Sequence, residues 1–418
     1  MNAAKIRATA SGNNRLSLKY LASWTIASVE DQCVFKAILL VHNQSACLAI
    51  ESLAQESKQV CFVKTLSRFP PASEMVKILN THAPELAFLD LSDWSSALAA
   101  AADIRALAPG TAIIGFGAGW SENEAQCGNA GITEVLVSPA TLKKFQEAVD
   151  HAIHKMQAVV QENLLAFLPA KAGSGCTTVA LNLAGYLAET KKVLLIEGDL
   201  HSGVISVLLG ENHPYSLLDA LEDPTELDYS QWSKYVLKAR GIDVLVSNRS
   251  RKSELPLWSN YHHLLDFAAT RYDQILVDLP EVVNDATVEI VRRAKRVFVV
   301  CTPETPSLAL APQRCQELRN RGIPADKIRI IINRWHRGES TADEVEGMVR
   351  YPVAAVFGND YRAVSSATRS NAFVSPHTRL GKSFAGFARM LAAAPCPGTA
   401  VKRSFWKGLG AKPEPQHI

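Results

Sequence analysis

The stretch Lys171-Ala-Gly-Ser-Gly-Cys-Thr-Thr178 places two glycines, three hydroxyls and a lysine between an apolar run, Leu164 to Leu168, and a helical pattern that starts at Val179. A strand, a glycine-containing turn and a helix N-terminus aim several backbone N–H groups at one point. The helix dipole reinforces them, so the chemistry on offer is anion binding, with phosphate the expected guest. The strict phosphate-loop pattern G-x-x-x-x-G-K-[ST] nevertheless fails twice, because Ala170 stands at its first glycine and Cys176 at its lysine. Further along, polar residues close apolar runs: Glu197 and Asp199 after Val193 to Ile196, Asp278 after Ile275 to Val277, and Asn333 after Ile330 to Ile332. A carboxylate at the end of a buried strand is a candidate ligand for a divalent cation.

Such groups converge only if an open sheet carries them at its strand ends. From Ala37 onward, short apolar runs alternate with polar turns and segments of helical period. Strands are expected at Ala37 to Val41, Gln59 to Thr65, Leu86 to Asp90, Ala112 to Gly117 and Glu134 to Val137, with a helix from Pro139 to about Met156. A second series is expected at Leu164 to Leu168, Val193 to Glu197, Asp243 to Val246, Gln274 to Asp278, Arg296 to Cys301 and Lys327 to Asn333. Alternation of this kind means parallel strands with right-handed helical crossovers. Strands that are apolar throughout mean a sheet covered on both faces. The expected fold class is therefore α/β, with two doubly wound domains. The polar Gln161-Glu-Asn163 reads as the end of the first unit. The expected organisation is a flexible leader over 1–34, a first domain over 35–156, a larger second domain over 157–394 and a flexible basic tail over 395–418.

Composition narrows the function classes. With 418 residues, 47% hydrophobic and 20% charged, the chain is a folded globular protein rather than a disordered or low-complexity one. A net charge of +3 gives no general reason to bind nucleic acid or an acidic membrane, so any such contact must be a local patch. The eight cysteines form no C-x-x-C pair, which fits reduced thiols in the cytoplasm. No apolar run approaches the roughly 20 residues that cross a bilayer. The leader carries Lys5, Arg7, Arg15 and Lys19 before a weakly apolar Tyr20 to Ser28, and a signal peptide is the alternative there.

The loop with its early lysine resembles the deviant Walker A motif, K-G-G-x-x-K-[ST]-[ST], of the ParA/MinD family of partitioning and septum-site ATPases. The Glu197-Gly-Asp199 strand end is similar to that family's D-x-D, and Arg271 to Pro280 to its Walker B strand. Ile330-Ile-Ile-Asn333 is similar to the strand whose asparagine meets the base. The resemblance implies ATP with Mg²⁺ as cofactors and a P-loop NTPase domain. It places Gly173, Ser174, Gly175, Cys176, Thr177 and Thr178 around the phosphates and Asn333 at the base. It places Thr177 and Asp278 at the metal, with Asp199 orienting the attacking water. Lys171 would reach across a homodimer to the partner's phosphates. The missing cation at Cys176 predicts weakened ATP binding and weak or absent hydrolysis, since such a charge is worth several kcal/mol.

The loop, the segment Val299 to Leu308, the run Ile330 to Arg334 and the segment Tyr351 to Asp360 together resemble the CpaE/TadZ pilus-assembly branch, over roughly 164–393. This implies a localisation and assembly factor for a tight-adherence (Flp, type IVb/IVc) pilus secretion machine. Its partners would be the secretion ATPase and the membrane platform, and its place polar and peripheral at the inner membrane. It also implies an atypical receiver domain of flavodoxin-like fold at the N-terminus, where Leu86 to Asp90 resembles the phospho-accepting strand. A working receiver needs an acidic pair where Val41-His42-Asn43 stands, and a hydroxyl and lysine where Gly115 to Gly117 and Ser138-Pro139 stand. Phosphorylation of Asp90 is therefore not expected, and the domain reads as an interaction or dimerisation module.

Rival readings use other residues. A DNA-binding partition ATPase would need a basic face from Arg292, Arg293, Lys295, Arg296, Arg314, Arg319, Arg321, Lys327 and Arg329, although charge runs beside strands are usually solvated rims and DNA is the less favoured partner. A nucleotide-free scaffold is suggested by Ala170, Cys176 and Glu197. An iron–sulfur reductase would need bridging cysteines that the pattern does not supply. Cys176, at a helix N-terminus, has a redox-sensitive thiolate as a second reading. His151 with His154, and His262 with His263, read as surface pairs. Val401 to Leu409 in the tail could lie on an anionic membrane.

Overall fold

The computed structural model describes residues 35–42, 44–117, 124–137, 139–157, 160–222, 227–247, 256 and 258–393. The expected leader and tail, with the tail's membrane segment, lie outside the described residues.

Two sheets carry the chain. The first holds β1 (Phe35–Leu40), β2 (Val60–Leu66), β3 (Leu86–Asp90), β4 (Ala112–Phe116) and β5 (Glu134–Leu136), in the order β2-β1-β3-β4-β5. All its pairs are parallel. This is the flavodoxin-like order. Alternate residues of β1 feed opposite faces: Ala37 and Leu39 join Phe88 and Phe145 on one side, while Ile38 and Leu40 join Ala87 and Leu89 on the other. A sheet buried on both faces explains why β3 is apolar up to its terminal Asp90.

The second sheet holds β6 (Gln161–Pro169), β7 (Val193–Glu197), β8 (Leu237–Ala239), β9 (Ile242–Leu245), β10 (Gln274–Asp278), β11 (Ala294–Cys301), β12 (Ile328–Trp335) and β13 (Val353–Gly358), in the order β13-β12-β11-β6-β10-β7-β9-β8. Every pair is parallel except β8 with β9. Two of these strands were not expected from sequence. β8 has three residues and forms a hairpin with β9 through Arg240 and Gly241, both at positive φ, as the two-residue hairpin turn requires. β13 is a half-buried edge strand without the long aliphatic run of its neighbours.

Gln161 to Asn163, expected to close the first unit, instead open β6. Their polar side chains hold the ends of neighbouring elements: Asn163 Nδ2 donates to the Ala269 and Tyr272 carbonyls, and Gln161 Nε2 donates to Asp266. Polar residues at a strand end are here ties to the adjacent helix.

The sheets meet through the helix Asp285–Arg293, which begins seven residues after Asp278. Lys36 Nζ donates to Asp285 Oδ1 at 2.8 Å, and Arg292 Nη2 to Glu85 Oε1 at 2.9 Å. Glu289, on the same helix, is fully buried and accepts His262 Nδ1 at 3.0 Å, with Arg292 at 3.6 Å and Arg293 at 3.8 Å. Burial works against its charge, but His262 and the two guanidinium groups prevail and hold its carboxyl below the ordinary value. Trp258, from the helix Trp258–Ala269, packs into the core of the first sheet. The backbone at Gly110 comes so close that a Cβ there would lie 2.8 Å from Glu289 Oε2.

Candidate functional site

Asp278 stands at the end of the second sheet's centre. Its Cα pairs with Phe167 of β6 on one side and with Glu197 of β7 on the other. The segment leaving β6 turns through Gly173 and Gly175, at φ of +79° and +85°, conformations that disfavour any residue with a Cβ. Gly175 is the N-cap of the helix Cys176–Leu187, whose first turn returns to Asp278. The Thr177 hydroxyl and the Cys176 thiol both hydrogen-bond to the Asp278 carboxyl.

The carboxyl of Asp278 is pushed up to about 7, chiefly by burial; Thr177 and Cys176 oppose the shift, and the charges of Glu197 and Asp199 add to it. Its Oδ1 is buried without a hydrogen-bond partner, and so is Ser174 Oγ in the loop above. Two orphaned polar atoms in one cup fit a guest that accepts from the hydroxyl and gives Asp278 a cation to hold. Space exists as well, since nothing lies within 4 Å of a Cβ built on Gly173. A phosphate with a hard divalent cation matches this donor set, with Thr177 and Asp278 as the oxygen ligands.

Cys176 corrects one sequence reading. Its side chain is buried, and burial first, then the Asp278 charge, raises its thiol well above the ordinary value. Helix-terminus activation is outweighed by desolvation, so the residue is a neutral thiol and not a reactive thiolate.

Glu197 is 1% exposed and accepts from Ile205 N at 2.7 Å, Ser247 N at 2.8 Å and Ser247 Oγ at 3.0 Å. Burial raises its carboxyl, and these donors work against that shift. Its job is to tie the segment after β7 to the end of β9, a role with no local signature beyond an acid closing an apolar strand. Asp199 accepts from His201 N at 3.1 Å and Ser202 N at 2.8 Å, which folds the turn it starts, and its charge is felt at Asp278. Asn333, 7% exposed, donates from Nδ2 to the Ser174 carbonyl at 2.9 Å, so β12 is pinned to the loop. Lys171 is not drawn into this group; its Nζ meets the neighbouring Ala172 carbonyl at 3.3 Å. Thus Ser174 to Thr177, Asp278 and Asn333 are brought together, with Asp199 beside them and Lys171 apart.

Six of the nine residues of the basic cluster are committed to partners within the chain. Arg292, Arg293 and Lys327 are buried, with Arg292 on Glu85, Arg293 on Asp266, and Lys327 Nζ on the Arg292 carbonyl at 2.8 Å. Lys295 meets Glu162, Arg314 meets Glu317, and Arg321 meets Asp285. Charges committed to such pairs are not free for a phosphate backbone.

In the first sheet, Asp90 is 1% exposed and accepts His42 N at 3.0 Å, Ser92 N at 3.0 Å and Ser92 Oγ at 2.6 Å. The carboxylate is engaged by the turns on either side of it. His151 lies at the surface, 3.9 Å from Glu134. No group of three His, Cys, Asp or Glu poised for a metal occurs among the described residues, and no described helix is long and apolar enough to cross a membrane.

A glycine turn at the end of a central parallel strand, a helix N-terminus above it and a buried carboxylate on the next strand form the kind of site at which open parallel sheets bind anions. The chain's sequence relatives include septum site-determining proteins of the MinD type. The chain is 26% identical over 239 residues to the septum site-determining protein MinD of Thermotoga maritima, covering 55% of this chain and 88% of that protein. Among solved structures, a ParA family ATPase of Chlorobium tepidum aligns over 55% of this chain and 99% of its own, at 24% identity and a TM-score of 0.49. MinD of Pyrococcus horikoshii, solved as a complex with Mg-ADP, covers 55% of this chain at 20% identity and a TM-score of 0.48. No protein-family model matches the chain.

Proposed function

We propose that the chain is an ATP-binding localisation and assembly factor for a tight-adherence pilus secretion machine, working as a nucleotide-linked homodimer with weak or no hydrolysis. The observation that carries the nucleotide part is the cup itself: Ser174 Oγ and Asp278 Oδ1 are buried and unpartnered beneath the amides of the Cys176–Leu187 helix. The amides of Gly173 to Thr178 would hold the phosphates of ATP. The Thr177 hydroxyl and the Asp278 carboxylate would hold a Mg²⁺ ion, which would supply neutralisation of phosphate charge. Asn333 keeps the loop in register and would lie beside the base, and Asp199 would orient a water. Cys176 contributes a neutral thiol where a cation is usual, which supports nucleotide binding used as a switch rather than rapid turnover.

The pilus assignment rests on the sequence resemblance to the CpaE/TadZ branch. The flavodoxin-like order of the first sheet supports an atypical receiver-like domain over 35–156 joined to the ATPase domain over 157–394. With Asp90 engaged by three donors, that domain acts as an interaction module and not as a phosphate acceptor. Cytoplasmic placement at the inner membrane, with the secretion ATPase and membrane platform as partners, belongs to the same reading. Light scattering tests it: with ATP and Mg²⁺ the natural chain should double in mass, and Lys171→Ala should not. A mass indifferent to nucleotide would remove the switch, and surface pili that persist after deletion of the gene would remove the pilus role.

A further inference from the structure

The cup lacks a cation at position 176, yet one stands beside it. Arg334, directly after Asn333, has φ of +58°, a left-handed conformation that disfavours a residue with a side chain. That turn at the end of β12 brings its guanidinium back toward the loop: Arg334 Nη2 lies 3.8 Å from the position of a Cβ on Gly175, the N-cap of the Cys176–Leu187 helix. The bond from Asn333 Nδ2 to the Ser174 carbonyl fixes the strand end there. The side chain is exposed, and among the described residues it has no acidic partner within 4.0 Å. A cation at the positive end of a helix dipole is repelled unless an anion lies between them. In the same loop, one residue before Gly175, Ser174 Oγ is buried without a partner and is free to bind a guest.

We propose that Arg334 is the phosphate-binding cation of this pocket, supplied in the same chain from the end of β12 in place of the side chain that Cys176 does not provide. A guanidinium offers several donors in a rigid fork, so it can bind phosphate oxygens from outside the loop where a lysine would reach from within. The arrangement rests on the nucleotide reading above and explains how a cup without the usual lysine keeps affinity for a triphosphate.

The test is calorimetric titration of the full chain with ATP and Mg²⁺, and separately with adenosine, for the natural protein, Arg334→Gln, Arg334→Lys, Cys176→Lys and the double variant Cys176→Lys with Arg334→Gln. Losing a charged hydrogen-bond donor should weaken ATP about tenfold or more. Adenosine affinity should stay unchanged, Arg334→Lys should fall between, and Cys176→Lys should absorb most of the loss. Equal weakening of ATP and adenosine, or no weakening, overturns the role of Arg334 and leaves the nucleotide reading standing. If the natural chain fails to bind ATP while Cys176→Lys succeeds, Arg334 does not compensate and the inference falls alone. If neither binds, the nucleotide reading falls with it.

Discussion

An alanine at Gly175 should damage the loop far more than an alanine at Gly173, although their φ values, +85° and +79°, are nearly the same. The left-handed conformation costs an L-residue roughly 1–2 kcal/mol at either place. At Gly173 that is the whole effect, because nothing lies within 4 Å of the new Cβ. At Gly175 the Cβ would fall 2.4 Å from Asn333 Nδ2, so the 2.9 Å bond to the Ser174 carbonyl must break as well. Losing that bond and leaving a buried carbonyl unpaired adds about 1–3 kcal/mol. Titration with ATP and Mg²⁺ should therefore show about a fivefold loss for Gly173→Ala and about a hundredfold loss for Gly175→Ala. Because Gly175→Ala already breaks the asparagine's bond, adding Asn333→Ala should cost little more. Equal losses at the two glycines would refute the claim that Asn333 holds the loop in shape.

Other outcomes follow from the charges. Arg292→Met breaks the buried pair with Glu85 and should cost about 3 kcal/mol in denaturant unfolding, most of it recovered by adding Glu85→Leu; an unchanged midpoint would mean the sheets are not joined there. Asp278 gains a proton as pH falls through about 7, which favours the folded state between its ordinary value and 7 but denies a cation its ligand. Mg²⁺-dependent ATP binding should therefore weaken from pH 8 to pH 6, approaching about tenfold per unit below 7, and Asp278→Asn should flatten the profile. Lys327 is pulled down to about 8, mainly by burial. Between 8 and its ordinary value the unfolded chain keeps a proton that the folded one has lost, so natural stability should rise with pH relative to Lys327→Met. A flat difference in midpoints across that range would contradict the burial of its charge.

Local signals carried the site and long-range ones did not. The loop 171–178 and the carboxylate closing β10 were legible because each depends on a contiguous stretch: an apolar strand, then small or polar residues where the chain must turn. Glu197 looked like a departure from a D-x-D pattern because its donors, Ile205 and Ser247, lie 8 and 50 residues away. Arg292 looked like part of a basic face because Glu85 is 207 residues distant in the chain. Cys176 misled in another way, since helix-terminus reasoning sets the sign of the dipole effect but not the degree of burial. The three-residue β8 exists only because β9 offers an edge. Arg334 has no motif at all; its backbone conformation and its nearness to Gly175 are visible only once β12 and the loop are side by side.

The amides of 173–178 should enclose a nucleotide's phosphates. Amide hydrogen exchange of the full chain, followed peptide by peptide with ATP and Mg²⁺ added, reads this at the loop itself. Protection should rise over 171–178 and at the ends of β10 and β12, and vanish with Gly175→Asp, whose carboxylate would repel the anion. Exchange over 171–178 that is identical with and without nucleotide would contradict it.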